Sequence, residues 1–419
     1  MKNKGNVKID HMYHVLFLYT LAFWFGKELA RPTISIALAD SETASSMVGM
    51  LLSIQNFFPL ILSIPLATLG DRKGHDKILN LGSWLTVLSG VCFLLTIIDS
   101  LSAVGAVVLL TVGQILSGIA WTVAWISLQT LVSDCDAANR QKGKEANGVN
   151  RLILIMSIGM VLGPVSSGWL IDSFGIASVW ELNMLLSLVQ IGLSLWLKHH
   201  CVTEQSQQKE VVHVEENKKQ TSLYHQFGGG IYLVMVMFSF IMMFGSEIKS
   251  SYMPVVLRGA GISSTIIGYV SSAGALATCL IRVFMNTKKA SVFSRKTLIY
   301  ISMLCSELAF ISMVIFPAGK LYLISSILIG LCGGIVEPVL IVIILENTIP
   351  QRKGLALTGR VLFNRLAMFL APSIAGFLVT AFGVRKGFGM LAIMMLIIIL
   401  VTISGMKICF KGGRTNGKA

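Results

Sequence analysis

The amino-acid sequence predicts an all-α polytopic membrane protein with twelve transmembrane helices in two six-helix pseudo-repeats. Three observations lead to this prediction: the apolar composition, the length of the apolar runs and the distribution of the basic residues. Of the 419 residues, 54% are hydrophobic and 13% are charged, whereas a soluble domain carries about 25% charged residues. Such a chain cannot cover a globule with polar side chains, which excludes a disordered protein, a disulfide scaffold and a soluble enzyme.

Twelve apolar runs are each long enough to cross a bilayer, which takes about 20 helical residues. Because backbone groups in lipid must form their hydrogen bonds within the segment, we expect each run to be a helix. The runs lie, in order, at 15–38, 47–69, 79–98, 104–132, 152–171, 180–197, 230–257, 265–285, 298–316, 321–345, 361–382 and 388–406.

The basic residues lie predominantly on one side of the predicted membrane. Of the 34 lysines and arginines, 25 fall in alternate connecting segments and only 4 in the others. Positive charge marks the cytoplasmic side, so we expect both termini to be cytoplasmic. We expect a multi-pass protein of the plasma membrane, surrounded by the lipid bilayer. The net charge of +14 is then a topology signal that needs no nucleic-acid partner.

A polar segment of mixed charge at 198–229 divides the chain. We interpret it as a cytoplasmic linker between an N-terminal six-helix half, 1–197, and a C-terminal six-helix half, 230–419.

The two halves resemble each other in sequence. Residues 25–28 match 244–247 at an offset of 219, and residues 163–175 match 371–383 at an offset of 208. Several matches in the same order indicate a duplicated six-helix unit. Six-plus-six parallel repeats are a transporter design, with the substrate site near the middle of the membrane.

Two segments carry family motifs. Residues 67–77 resemble the loop motif G-x-L-x-D-R-x-G-R-[KR] of the major facilitators, with Asp71, Arg72 and Gly74 in place. Residues 159–168 resemble their antiporter motif G-x-x-x-G-P-x-x-G-G. The chain therefore resembles the major facilitator superfamily, and within it the twelve-helix drug/proton antiporter branch, which is associated with efflux and multidrug resistance.

The resemblance implies roles for both motifs. Asp71 would bind the start of span eleven, near residues 358–361, and with Arg72 would latch the cytoplasmic side shut. A charged turn that only sets topology is the alternative. Span five would bend at its proline and pack closely on another helix, an arrangement that goes with export. The motif residues of span five are Gly159, Gly163, Pro164 and Gly168.

One position departs from the branch. Span four usually carries an intramembrane arginine tied to proton coupling, and Gln114 stands at that position. A neutral amide cannot supply the fixed charge, so either proton coupling is built differently here or the protein is not a standard drug antiporter.

Four glutamates lie well inside predicted spans, and a charge at the bilayer centre costs about 2.5–3.5 kcal/mol. Glu28 shares one helix face with Lys27 and Arg31. Glu247 is its repeat equivalent and has Lys249 two residues further on. We predict that these residues, together with Glu337, Gln55 and Asn56, contact substrate or couple protons. Salt bridges and polar contacts that only hold helices together are the alternative.

Several further expectations concern single residues. With only Lys249 nearby, Glu247 should be more easily protonated than Glu28. Glu307 should be a protonated or paired structural acid. Arg282 and Arg365 should extend to the membrane surface. The tryptophans should mostly face lipid or belong to an interfacial belt, namely Trp24, Trp121, Trp125, Trp169 and Trp180. Trp121 and Trp125, four residues apart, could instead line the cavity.

The sequence lacks the spacings of a phosphate loop, a metal site and a nucleophile elbow. We therefore expect no catalytic residue, no metal and no cofactor. We predict a monomer that exports a small organic molecule, zwitterionic or carboxylated, in exchange for protons. A proton-linked importer of a nutrient and a non-transporting membrane sensor are the alternatives.

Overall fold

The computed structural model describes residues 4–41, 44–98, 100–141, 147–200, 229–285, 287, 292–315, 322–349 and 352–412. These residues form helices and short connections, and none of them lies in a strand. The predicted linker falls largely on residues 201–228, which lie outside the described residues.

Six helices cover the described residues of the first half of the chain. They are α1 (Lys4–Asp40), α2 (Ser45–Lys73), α3 (His75–Leu95), α4 (Ala103–Gln141), α5 (Gly148–Phe174) and α6 (Ile176–His200).

The second half begins with a segment that changes its helical geometry twice. Helix α7 (Gly230–Glu247) continues as a π-helix (Ile248–Tyr252) and then as α8 (Met253–Gly259). The remaining helices are α9 (Ser264–Met285), α10 (Arg295–Ile315), α11 (Tyr322–Asn347) and α12 (Lys353–Gly412). Helix α12 is interrupted at Gly383, whose φ of 77° is left-handed, so it contains both predicted spans eleven and twelve.

Among the described residues, ten helical segments are long and apolar enough to cross a membrane, with α7 to α8 taken as one segment and α12 as another. Helix α1, whose apolar run is interrupted by Lys27, Glu28 and Arg31, is not among them. The all-α membrane fold is therefore confirmed, while the number of twelve crossings stays a prediction.

Contacts divide the chain into two compact units. The first unit contains α1, α3 to α6, residues 54–73 of α2 and residues 264–272 of α9. In it, α1 packs on α5 and α6, and α3 packs on α4 and α6.

The second unit contains α7, the π-helix, α8, α10, α11, α12, residues 45–53 of α2 and the rest of α9. In it, α7 packs on α11 and α12, and α10 packs on the same two helices. The predicted halves place all of α2 in the first half and all of α9 in the second. The units instead assign residues 45–53 of α2 to the second unit and residues 264–272 of α9 to the first.

Glycines set the helix spacing at two equivalent crossings, one in each unit. In the first unit, a Cβ added to Gly168 would lie 2.2 Å from the carbonyl oxygen of Ser264. In the second unit, a Cβ added to Gly376 would lie 2.4 Å from the carbonyl oxygen of Ser45. Gly376 is the repeat equivalent of Gly168, and Ser45 that of Ser264, so the sequence repeat is also a repeat of close helix contacts.

One carboxylate ties three elements of the first unit together. Asp136 near the end of α4 accepts hydrogen bonds from the Tyr13 hydroxyl (2.5 Å) and from the backbone N–H groups of Gly148 (2.9 Å) and Val149 (3.2 Å). Partial burial raises the pKa of Asp136, but these hydrogen bonds outweigh it and hold the pKa below its ordinary value. Asp136 therefore stays ionised and caps the start of α5.

Candidate functional site

A buried ionic group lies in the middle of α1. The Lys27 Nζ is 3.5 Å from the Glu28 Oε1, and the Arg31 Nη1 is 3.8 Å from the same oxygen. The three side chains are only 7%, 7% and 12% exposed for Lys27, Glu28 and Arg31. Two cations thus flank one carboxylate.

Aromatic rings enclose the lysine of this group. The Lys27 Nζ lies 4.6 Å from the ring centroid of Trp24 and 4.0 Å from that of Trp121. Trp125 packs edge-on against Trp24 with ring centroids 5.7 Å apart. A cation over an indole face is attracted by the ring quadrupole, more strongly where water is excluded. We refer to Trp24, Lys27, Glu28, Arg31, Trp121 and Trp125 as the α1 cluster.

The belt prediction is wrong for three of the tryptophans. Trp180 is 1% exposed and stacks on Phe93 with ring centroids 4.8 Å apart. Trp24 is 6% exposed and Trp121 is 8% exposed, because both rings pack against Lys27 instead of facing outward. Trp169, at 53% exposure, lies on the outside of its helix as expected.

The antiporter motif lies directly behind the α1 cluster. A Cβ added to Gly163 would lie 2.8 Å from the Glu28 Cβ, and one added to Gly159 would lie 2.9 Å from the Trp24 Cβ. Only glycine lets the α5 and α1 backbones approach so closely. Pro32 lacks the N–H that would bond to the Glu28 carbonyl four residues earlier, so the helix ladder is interrupted at the same level.

The polar residues of α2 and α4 are buried near one another. Gln55 is 8% exposed, and its Nε2 donates to the Ser117 Oγ at 3.5 Å; Asn56 is 1% exposed. Gln114 is 1% exposed, and within the described part of the chain its Nε2 has no hydrogen-bond partner. The described hydrogen bond of Gln55 therefore connects two helices, which fits the helix-packing alternative. A small cavity joins Ser117 to Lys27.

The second unit has its own buried carboxylate where α7 meets the π-helix. Glu247 is 1% exposed, and its Oε1 accepts a 2.5 Å hydrogen bond from the Ser251 Oγ. Arg365 of α12 interacts electrostatically with Glu247. A π-helix within an α-helix is often found at functional sites, because it widens the turn and redirects side chains.

This arrangement corrects two expectations. Glu247 does not have Lys249 as its only nearby cation, because Arg365 approaches from another helix. Arg365 is 6% exposed, so it lies inside the unit and does not extend to the membrane surface. Lys249 reaches towards α9 instead, where a Cβ added to Gly274 would lie 2.8 Å from its Nζ.

A second ion pair in this unit involves Glu337. Arg282 of α9 and Glu337 of α11 form a salt bridge, with side chains 26% and 29% exposed. Arg282 was expected to extend to the membrane surface, and the structure gives it a partner within the protein instead. Arg360 of α12 interacts electrostatically with Glu337 and donates from its Nη1 to the Ser239 Oγ at 3.3 Å.

Glu307 differs from the other three intramembrane acids. It is 9% exposed, and its Oε2 has no hydrogen-bond partner among the described residues. No salt bridge of the described residues includes it, whereas Glu28 forms two, Glu337 forms one and Glu247 faces Arg365. Of the two predicted states, protonated and paired, the structure therefore favours the protonated acid.

The loop motif occupies the end of α2. Asp71 and Arg72 lie in the last turn of the helix, not in a turn after it, and the chain reverses at Gly74, whose φ of 98° requires glycine. The Asp71 Oδ1 is 3.2 Å from the His75 Nε2, so the histidine that replaces the motif's arginine is a described partner of this carboxylate.

The helix that contains predicted span eleven begins earlier than the sequence predicts. Helix α12 begins at Lys353, so its free first-turn N–H groups belong to residues 353–356 and not to residues 358–361.

The chain is similar to one protein family and to one transporter sequence. The family model described as Major Facilitator Superfamily matches residues 16–285 and 235–404. An uncharacterized MFS-type transporter of Methanocaldococcus jannaschii is 27% identical over 153 residues. That match covers 36% of this chain and 36% of the relative, about a third of its length.

Two solved structures share the fold over nearly their whole length. The nucleoside transporter NupG has a TM-score of 0.68 at 13% identity, covering 94% of this chain and 99% of that one. A peptide transporter POT in complex with sulfate has a TM-score of 0.75 at 12% identity, covering 95% of this chain and 94% of that one.

Proposed function

Because the chain belongs to the Major Facilitator Superfamily and is a membrane transporter, we propose that it exports a small organic molecule in exchange for protons by alternating access. The protein works as a monomer in the plasma membrane, with both termini in the cytoplasm. The motif at 159–168 supports the direction of export, and the excess of basic residues in alternate segments supports the orientation.

The α1 cluster carries the proposal for the substrate. Two buried cations flank one carboxylate, so the α1 cluster offers charged donors and a charged acceptor within one buried group. Lysine and arginine form strong, charge-assisted hydrogen bonds with carboxylates. Lys27 and Arg31 then bind a carboxylate, and Glu28 binds an amino group of the same molecule, which makes a zwitterionic or carboxylated substrate the best match.

Glu247 is the proposed site of proton carriage. While ionised, it faces Arg365 and accepts the hydrogen bond from Ser251. Protonation removes its charge and weakens its attraction for Arg365, which gives the second unit two electrostatic states. Glu337 is the next candidate, because Arg282 and Arg360 are placed around it in a similar way.

The experiment measures transport by the purified protein in liposomes. The test compounds form a panel of matched pairs, each made of a carboxylate and its neutral amide. We expect the carboxylates to move and the amides to be poor substrates. Lys27→Gln should reduce transport at least tenfold, while Arg151→Gln, which removes an exposed cation at the start of α5, should not. Equal transport of both members of each pair would contradict the substrate assignment.

Proton-linked uptake is the second candidate. Gln114 in place of an intramembrane arginine favours it, since standard antiport coupling needs the missing charge. The solved nucleoside and peptide transporters share the fold at 13% and 12% identity and leave the direction open. Inside-out membrane vesicles separate the two: an exporter fills them when their interior is acidic, whereas a proton symporter fills them when the external medium is more acidic than the interior.

A further inference from the structure

The end of α5 makes an electrostatic contact with the beginning of α9. The Asp172 Oδ1 accepts a hydrogen bond from the backbone N–H of Ser264 at 3.1 Å, and its Oδ2 accepts one from that of Thr265 at 2.7 Å. The first amides of a helix have no partner within the helix and carry a partial positive charge. Asp172 thus caps a helix other than its own, and both residues it binds lie in the first unit.

The two helices touch along a continuous line below this cap. The Thr265 Oγ1 donates to the Gly168 carbonyl at 3.4 Å, and the Ser272 Oγ donates to the Val161 carbonyl at 2.6 Å. We call this line of contacts, from Val161 to Asp172 on α5 and from Ser264 to Ser272 on α9, the α5–α9 seam. Its backbones are already in contact at Gly168, so the cap adds charge to a closely packed surface.

At the repeat-related contact between α12 and α2, the described residues include no such carboxylate cap. It reproduces the glycine approach at Gly376 and a serine contact, in which the Ser373 and Ser53 hydroxyls are 2.7 Å apart. At the offset of 208, however, the residue equivalent to Asp172 is the neutral Thr380. The described contacts between α12 and α2 are thus packing and neutral hydrogen bonds, whereas the α5–α9 seam also has a carboxylate.

We infer that Asp172 is a gating residue of the transport cycle, whose carboxylate keeps the α5–α9 seam closed and must release α9 before the seam opens. This inference rests on the proposed alternating access, because α5 and α9 belong to different predicted halves. By the predicted topology the seam faces the outside, so Asp172 controls the opposite side of the membrane from the Asp71 motif.

The ionisation of Asp172 supports this role. Partial burial raises its pKa, but the hydrogen bonds from Thr265 and Ser264 lower it by more, so that the pKa is below its ordinary value. The carboxylate is therefore charged at neutral pH and interacts fully with the α9 amides.

The test measures opening of the seam and does not require the substrate. A single cysteine at Ser264, which is fully buried, is placed in a variant lacking the seven native cysteines. Its rate of reaction with a membrane-impermeant maleimide added from outside reports how often the seam opens. Asp172→Ala should raise that rate about 2- to 30-fold, the range expected for loss of a helix cap. Asp172→Asn, which conserves size, should give a smaller increase.

Ser173→Ala is the matched control, since it changes an exposed neighbour and should leave the rate unchanged. Thr380→Asp is the converse variant: it should add a cap to α2 and slow the labelling of a cysteine at Ser45. Unchanged labelling of the Ser264 cysteine in both Asp172 variants would overturn the inference. Failure of the proposed function has a different signature, namely no transport of any panel member while the labelling rates still differ.

Discussion

Alanine at Gly163 should separate α1 from α5 at the level of the α1 cluster. The added Cβ would lie 2.8 Å from the Glu28 Cβ and 2.9 Å from both the Glu28 carbonyl carbon and the Leu29 nitrogen. Distances under 3.0 Å are essentially never seen for a real Cβ, and two of these three atoms are backbone, so no side-chain rotation relieves the clash. The helices themselves must move.

The magnitude follows from two opposing effects. Overpacking of a close contact costs about 1–3 kcal/mol, whereas alanine is favoured over glycine inside a helix by about 1 kcal/mol. Gly192 in α6 isolates the second effect, because an added Cβ there meets nothing within 4 Å. Gly163→Ala should therefore be about 1–3 kcal/mol less stable than Gly192→Ala.

Thermal unfolding of the purified protein in detergent measures this difference. For units of roughly 200 residues, about 2–4 °C of melting temperature corresponds to each kcal/mol. We expect Gly192→Ala to melt at or slightly above the wild-type temperature and Gly163→Ala to melt several degrees below Gly192→Ala. Identical melting temperatures for the two variants would refute the argument that Gly163 sets the α1–α5 distance.

Four further predictions concern carboxylates. Asp71→Asn should reduce transport while expression stays near normal; unchanged transport would mean that the motif only sets topology. Glu247→Gln should abolish the dependence of transport on the proton gradient but preserve downhill exchange of substrate. Glu28→Gln should instead impair substrate binding or folding. If the Glu247→Gln protein still concentrates substrate against its gradient, another residue carries the proton. Asp136→Asn should lower stability by about 1 kcal/mol at neutral pH. The pKa of Asp136 is lowered in the folded protein, so its contribution to stability is complete above the ordinary carboxyl pKa of about 3.9. That contribution is lost as the pH falls further. The difference in melting temperature between wild type and Asp136→Asn should therefore vanish in acid. Glu307→Gln should leave the melting temperature nearly unchanged at neutral pH, because the amide resembles a protonated acid; a large decrease would indicate that Glu307 is ionised and paired.

Sequence reasoning succeeds where the interacting residues share a helix. The grouping of Lys27, Glu28 and Arg31 follows from helical spacing alone, and the structure brings both cations within 4 Å of the carboxylate. The close-packing role of Gly159 and Gly163 also follows from their residue type, although the partner helix does not.

The missed contacts lie between helices far apart in the sequence. Arg365 is 118 positions from Glu247, and nothing in the apolar pattern of its span indicates which neighbouring helix it faces. The same holds for Trp121, whose ring packs on Lys27 of another helix. The position of Arg365 inside a predicted span was the available signal, since a cation there needs a partner as much as an acid does.

The π-helix also limits how the two repeats can be compared. A π-turn holds one more residue than an α-turn, so the faces of the helices drift apart after Glu247 even though the residue count stays equal. At the offset of 219, Arg31 aligns with Ser250, but the residue that contacts Glu247 as Arg31 contacts Glu28 is Ser251. A chimera meant to install the ion pair of span one in span seven therefore requires arginine at position 251, one residue beyond the position that alignment of the repeats selects.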